Sequence, residues 1–125
     1  MSQPVITPRA PAAIGPYSQG INTGNLLFTS GQIPLDPNDG KLYSDIKQAT
    51  KRVLENIIAI LEEAGSGLDQ VVKTTVYLKD MADFQAMNEI YATFFHDPCP
   101  ARSCVQVAKL PLDAIIEIEA IALIP

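Results

Sequence analysis

The spacing of apolar and polar positions along the chain predicts two helices. Apolar residues recur at steps of three and four between positions 46 and 64, which is typical of an amphipathic helix with one buried stripe. Ser44 is its predicted N-cap, and Gly65 is predicted to end it. A second helix is predicted after Asp80, its expected cap, with a core stripe made of Phe84, Met87, Tyr91 and Phe94.

Segments rich in β-branched and aromatic residues predict strands around these helices. Segment 71–78 lies between the helices, and segments 101–107 and 115–124 follow the second one. Near the amino terminus, segments 17–22 and 26–33 flank a Thr-Gly-Asn turn and predict a hairpin. This order of elements predicts the α+β class, with a single mixed β-sheet and two helices packed on one face.

The composition restricts the class of function. A chain of 125 residues is predicted to form one domain, residues 1–125, with its own core. The 9 Lys and Arg against 14 Asp and Glu give a net charge of −5, which argues against a sequence-independent nucleic-acid binder because such proteins usually need a basic patch; a small basic pocket stays compatible with this charge. Charged residues make up only 18% of the chain, which favours a homo-oligomer over a compact monomer.

Nothing in the sequence predicts export, a membrane partner or a metal site. The first residues lack the basic and apolar regions of a secretory signal, and no apolar run approaches the ~20 residues of a membrane helix. The cysteines, Cys99 and Cys104, are few, as in a reduced compartment, so we expect a cytoplasmic protein. With His96 they lack a fourth ligand and a recognised zinc spacing.

Charged residues in two otherwise apolar strands are the main candidates for chemistry. Arg102 and the pair Glu117 and Glu119 each need a partner, a substrate or water, because a buried unpaired charge is very unfavourable. Arg102 is suited to bind a carboxylate or a phosphate through two parallel hydrogen bonds. The alternative is an Arg–Glu pair within the chain.

Each of the other candidate site residues has both a functional and a structural interpretation. Glu117 or Glu119 could act as a general base on water, or could simply be a strand-edge charge. Cys104 shares the strand face of Arg102 and is either a nucleophile or a small apolar filler or pocket-shaping residue, and no histidine is placed to activate it. Asn88 borders the apolar stripe of the second helix, and Gly31 indicates a bulge or a close approach to the backbone. Spacing alone therefore indicates a cofactor-free hydrolase of small anionic molecules.

Several motifs in order along the chain resemble the signature of the RidA (YjgF) family of reactive-imine deaminases. The resemblance covers nearly the whole chain. The matching segments are AAIGPYSQG at 12–20, SGQIP at 30–34, VKTTV at 72–76, Asn88, PARSCV at 100–105 and IEIEA at 116–120.

This resemblance implies a fold, an assembly and a reaction. The fold is chorismate-mutase-like and assembles as a homotrimer, with active sites in clefts between subunits. The reaction is the hydrolysis of 2-imino acids and their enamine tautomers, such as 2-iminobutanoate and 2-iminopropanoate, to 2-keto acids and ammonia. No cofactor is implied.

The resemblance also implies roles for individual residues. Arg102 matches the arginine that binds the substrate carboxylate, Glu117 the glutamate that activates water, and Cys104 a position whose backbone helps to hold that water. Glu119 is left as a structural partner. Further pocket-lining positions are matched by Tyr17, Ser30, Gly31 and Asn88. Two other functions stay open: a non-catalytic binder of 2-keto acids and an endoribonuclease, against which the negative charge argues.

Overall fold

A computed structural model of the chain describes residues 2–125, which form a six-stranded sheet and two α-helices. The elements are β1 Gln3–Val5, β2 Gly20–Asn22, β3 Leu26–Thr29, α1 Ile46–Glu63, β4 Val71–Leu78, α2 Phe84–Tyr91, β5 Ala101–Gln106 and β6 Ile116–Leu123. The strands lie side by side in the order β1-β2-β3-β6-β4-β5. Neighbouring strands are antiparallel except β4 and β5, which are parallel, so the sheet is mixed.

Both helices lie on one face of the sheet, and the core lies between them and the sheet. The predicted stripe of α1 is buried, with Val53 and Ile60 fully inaccessible, and it packs against Ile116 and Ile118 of β6. Each such aliphatic side chain stabilises the fold by about 1.5–3 kcal/mol. The predicted α+β class, with one mixed sheet and two helices, is confirmed. Neither helix within residues 2–125 has the length and apolarity that a membrane crossing requires.

The ends of α1 confirm one predicted boundary and correct the other. Ser44 is not the N-cap: the carboxylate of Asp45 accepts the N–H of Gln48 at 3.0 Å, because Asp45 is the last extended residue before the helix. Gly65 follows the last turn at φ +78°, a conformation that favours glycine.

The second helix is shorter than predicted. Asp80 does not cap α2; its carboxylate accepts the N–H of Ala82 at 2.9 Å and caps a 3₁₀ turn, Met81–Asp83, that precedes the helix. After Tyr91 the backbone bonds span three residues instead of four, which tightens and ends the helix, so Phe94 lies beyond it.

The amino-terminal hairpin is also shorter than predicted. Gln19 does not extend β2, because its buried amide bonds the backbone of Thr7, Ala10 and Pro11 and holds the proline-rich segment in place. Beyond β3, Gln32 forms an isolated bridge with Ile118 of β6. This path carries residues 30 and 31 alongside the start of β6.

Candidate functional site

Arg102 lies on β5, an edge strand that pairs only with β4. Its partner in the ladder is Thr74, which in turn pairs with Ala120 of β6, and both of these are buried beneath the helices. Residues paired across neighbouring strands share a face of the sheet. The Arg102 side chain therefore leaves the sheet on its helix-covered face.

The Arg102 guanidinium is held by α2. Its Nη1 donates to Oδ1 of Asn88 at 2.6 Å, and its Cζ lies 5.5 Å from the ring centroid of Phe84 and 4.8 Å from that of Tyr91. No carboxylate oxygen of residues 2–125 lies within ion-pair distance of it, so the predicted alternative of an internal Arg–Glu pair is wrong. A partly buried cation with oriented donors and no counter-charge is suited to bind an anion.

A cavity of about 460 Å³ opens beside this guanidinium. It is large enough for a small organic acid. Its walls are mainly apolar apart from Asn88 and Arg102, and they also include Tyr91, Ala92, Phe95, Cys99 and Pro100.

Cys104 follows Arg102 on the same face of β5 and is half-buried. Burial raises the pKa of its thiol, and the nearby charge of Arg102 offsets this only in part, so the thiol form prevails at neutral pH. The N–H of Val107 donates to Leu78 of β4 at 2.9 Å, and alternation along the strand directs the N–H and C=O of Cys104 to the open edge. Its backbone, rather than its sulfur, is therefore placed to meet a ligand.

Glu117 lies at the start of β6, where its carboxylate covers the backbone of Gly31. A Cβ on Gly31 would lie 2.7 Å from Cδ of Glu117 and closer still to Oε2. The close approach expected at this glycine is thus made by a carboxylate of the same chain. Only a residue without a side chain leaves room for it in this position.

The environment of Glu117 disfavours its charged form. Burial is the main cause that raises the pKa of this carboxyl group, and the negative charge of Glu119 adds to it. No ion pair within the described part of the chain includes Glu117. A carboxylate of this kind is a stronger base than an exposed one.

Ser30 precedes Gly31 in the chain and is bonded to the segment that carries Tyr17. The N–H of Ser30 donates to Gln19 at 2.9 Å, and its hydroxyl donates to the carbonyl of Ser18, so the Ser30–Gly31 backbone is tied to the segment that carries Tyr17. The Tyr17 ring is 51% exposed and lines an apolar cavity of about 420 Å³. It lies ahead of β2, towards the end of the sheet away from β5.

The predicted site residues thus form two groups. The arginine half-site consists of Arg102, Asn88 and Cys104. The glutamate half-site consists of Glu117, Gly31 and Ser30, with Tyr17 attached through Ser18.

The sheet separates the two half-sites. Glu117 pairs with Tyr77, which pairs with Val105, so these three residues share the face opposite to Arg102. In the sheet, Glu117 on β6 lies two strands away from the open edge, which is formed by β5. Within one chain, the Arg102 guanidinium and the Glu117 carboxylate cannot contact one small ligand.

Two residues that contact the Arg102 guanidinium were not predicted from the sequence as part of the site. Phe84 and Tyr91 were assigned to the apolar core, yet both rings contact the guanidinium. The available signal was their spacing: Phe84, Asn88 and Tyr91 follow each other at four and three residues and so share one side of α2. An amide between two aromatic residues on one helix side is a suitable contact surface for an arginine.

Comparison with known proteins places the chain in a family. The family described as Endoribonuclease L-PSP matches residues 7–124. A RutC family protein of Pyrococcus abyssi is 57% identical over 119 residues, which is 94% of each chain. The 2-iminobutanoate/2-iminopropanoate deaminase of Salmonella typhimurium is 50% identical over 125 residues, which is 98% of each chain.

Solved structures agree with this relationship. The yjgF gene product of E. coli superposes with a TM-score of 0.93 at 48% identity, covering 97% of this chain and 98% of that one. The structure of E. coli TdcF with bound serine has a TM-score of 0.92 at 46% identity, with the same coverage of 97% and 98%. The chain belongs to the RidA (YjgF) family, as its motifs indicated.

Proposed function

We propose that the protein hydrolyses reactive 2-imino acids and their enamine tautomers, such as 2-iminobutanoate and 2-iminopropanoate, to 2-keto acids and ammonia. The observation that carries this proposal is the Arg102 guanidinium. It is oriented by Asn88 and two rings, and it has no carboxylate partner in residues 2–125. A relative named as this deaminase is identical at half of the aligned positions.

Arg102 is the proposed anchor for the substrate carboxylate. Because Nη1 is used by Asn88, the remaining N–H groups of the guanidinium are available for the two parallel bonds that a carboxylate accepts. The similar structure of E. coli TdcF contains bound serine, and a 2-imino acid has the same carboxylate next to a carbon–nitrogen bond. Tyr17, Ser30 and Gly31 are proposed to line the rest of the pocket.

Glu117 is the proposed base. It takes a proton from a water molecule held in part by the Cys104 backbone, and the water oxygen bonds to the imine carbon. As this bond forms, the C=N π bond opens and the nitrogen takes the transferred proton from Glu117, which gives an amine beside a new hydroxyl group. The hydroxyl proton then passes to the amine through Glu117, the carbon–nitrogen bond breaks as the keto C=O forms, and ammonia leaves the 2-keto acid. Water is the only co-reactant, and no cofactor is needed because positioning accounts for a large part of such a rate increase.

The proposed active site lies between two chains of a homotrimer with chorismate-mutase-like architecture. Arg102 and Glu117 leave opposite faces of the sheet, so a site that uses both takes one from each chain. Within residues 2–125, no helix covers the face that carries Glu117, and this face exposes Phe28, Val105 and Leu123 by 42–46%. Such a surface favours association. Light scattering is expected to give three times the chain mass of 13.5 kDa, and a monomer mass would contradict the assembly.

The proposed deaminase activity is tested with imines generated in situ. We expect the purified protein to accelerate ammonia release from 2-iminobutanoate generated by threonine dehydratase. Arg102→Ala should remove this acceleration with the fold intact by circular dichroism. Arg9→Ala is the matched control, because Arg9 forms an exposed pair with Glu62. An unchanged rate of ammonia release with the unmodified protein would contradict the proposal, and binding of 2-ketobutanoate without turnover would favour a non-catalytic ligand binder.

The description of the matched family suggests a second activity, RNA cleavage. A net charge of −5 gives little general attraction for phosphates, which is why the deaminase is preferred. RNA cleavage by the unmodified protein that disappears in Arg102→Ala and Glu117→Ala would favour a nuclease. Equal cleavage by all three proteins would identify a contaminant.

A further inference from the structure

The side of α2 that faces β5 holds the Arg102 guanidinium. Phe84, Asn88 and Tyr91 lie on this side at successive turns. We propose that Tyr91 is a positioning residue for Arg102: its ring fixes the guanidinium so that the donors not used by Asn88 face the substrate carboxylate. This inference rests on the proposed function, because it assumes that Arg102 binds a carboxylate.

The contacts around the guanidinium leave it little freedom. The bond to Asn88 Oδ1 at 2.6 Å fixes one corner, and the two rings lie 4.8 Å (Tyr91) and 5.5 Å (Phe84) from Cζ. A cation over an aromatic face is attracted by the ring quadrupole, which orients it as well as stabilises it. The Tyr91 ring is the nearer of the two and the more deeply buried.

Tyr91 is itself immobilised. It is only 7% exposed, its hydroxyl shares a buried 2.7 Å hydrogen bond with Thr74, and its ring lies 4.5 Å from that of Phe95. Thr74 is also the residue of β4 directly opposite Arg102 in the ladder. The backbone register of β4 and β5 and the position of the ring are therefore fixed by the same threonine.

This arrangement matters because Arg102 lies on an edge strand. A long arginine side chain with no fixed contacts would lose rotamer freedom when it bound an anion. A guanidinium that is already ordered avoids this loss, and the expected gain in affinity is about tenfold. The function of Tyr91 is thus to improve ground-state binding of the carboxylate rather than the chemical step.

The test separates the ring of Tyr91 from its hydroxyl. Tyr91→Leu is expected to raise both the KM for 2-iminobutanoate and the Kd for 2-ketobutanoate about tenfold, with kcat within about twofold. Tyr91→Phe keeps the ring and should stay within about threefold of the unmodified protein. Phe94→Leu is the control, since it removes an aromatic ring just beyond α2 that, unlike the rings of Phe84 and Tyr91, forms no cation–π contact with the guanidinium in the described structure.

A second measurement does not depend on activity. The sequence contains only Arg9, Arg52 and Arg102, so the side-chain N–H resonance of Arg102 can be assigned by NMR from its loss in Arg102→Lys. The ring current of Tyr91 should shift this resonance, and Tyr91→Leu should remove most of that shift. A merely structural role would lower the folded fraction and leave KM and the Kd for 2-ketobutanoate of the folded protein unchanged.

An unchanged resonance in Tyr91→Leu, or an unchanged Kd for 2-ketobutanoate, would overturn the inference. If the unmodified protein binds 2-ketobutanoate without turnover, the proposed activity fails while the Kd still tests Tyr91. If it binds no 2-keto acid, the NMR shift alone decides whether the ring holds Arg102.

Discussion

The arginine and glutamate half-sites differ in how their own chain treats their charges. Arg102 has an amide acceptor and two aromatic rings at fixed distances, all of which hold its guanidinium in place. Glu117 is confined above Gly31, partly removed from water and close to a second carboxylate, and these conditions disfavour its charged form. One half-site is stabilised in the state that binds an anion, and the other is kept in a reactive state.

This difference suggests a division of work. Binding a carboxylate needs an ordered cation, whereas activating water needs a base that is poorly solvated before reaction. Each half-site also lacks what the other has, because the cation has no anionic partner and the carboxylate has no cationic one among residues 2–125. Association of two chains would bring opposite charges to one cleft, which favours the assembly as well as the reaction.

The largest effect is expected when the arginine half-site is disrupted in one chain and the glutamate half-site in another chain of the same trimer. Arg102→Ala and Glu117→Ala should each be inactive as a pure protein. If each site of a cyclic trimer takes Arg102 from one chain and Glu117 from the next, an equal random mixture has both residues in about one site in four. The mixture, made by refolding the two variants together, should therefore recover about a quarter of the unmodified activity.

The control for this experiment is a mixture of two differently tagged copies of Arg102→Ala, which should stay inactive. Mixed trimers should be isolated by the two tags, so that failure to exchange chains is detected separately. No recovery in isolated mixed trimers would show that each site takes both residues from the same chain.

The next test acts on the glutamate half-site alone. Gly31→Ala places a Cβ where the Glu117 carboxylate lies, so the carboxylate must move away. We expect kcat to fall about 100-fold, the lower end of the range typical for loss of a positioned base, while KM changes little because the arginine half-site is untouched. Steady-state kinetics on 2-iminobutanoate measure both constants.

Gly40→Ala is the matched glycine control. Gly40 has φ +73° and no atom within 4 Å of an added Cβ, so the change strains the backbone without touching either half-site. It should lower the free energy of unfolding by about 1 kcal/mol and leave kcat unchanged. Full kcat in Gly31→Ala would show that the position of Glu117 over this glycine is not needed for turnover.

Much of the fold could be predicted from the sequence because its strongest patterns are local. The β-branched segment 71–78 coincides with β4, and the apolar stripe of α1 is buried as expected. The start of α1 was predicted wrongly because two neighbouring residues can each form the capping hydrogen bond. Ser44 and Asp45 are both good caps, and only the backbone conformation decides that Asp45 accepts the bond.

The relation between the half-sites could not be predicted, because it depends on register. Alternation places side chains on faces within one strand, but it does not relate the faces of β5 and β6, which are separated by β4. The pairs Thr74 with Arg102 and Tyr77 with Glu117 settle this relation, and they involve residues far apart in the chain. Tyr91 was assigned to the core for a similar reason: it is indeed buried, and its contact with Arg102 depends on how α2 packs beside β5.

The smallest expected effect tests the electrostatics of the glutamate half-site. A base works in its ionised form, so activity should fall as the pH drops through the pKa of Glu117, which burial and then the charge of Glu119 raise above its ordinary value. Glu119→Gln removes only the second cause, so the acid limb of kcat against pH should move slightly to lower pH. Glu62→Gln removes a surface carboxylate paired with Arg9 and should leave the limb in place. A limb that moves to higher pH in Glu119→Gln, or that does not depend on Glu117 at all, would assign the titrating base to another group.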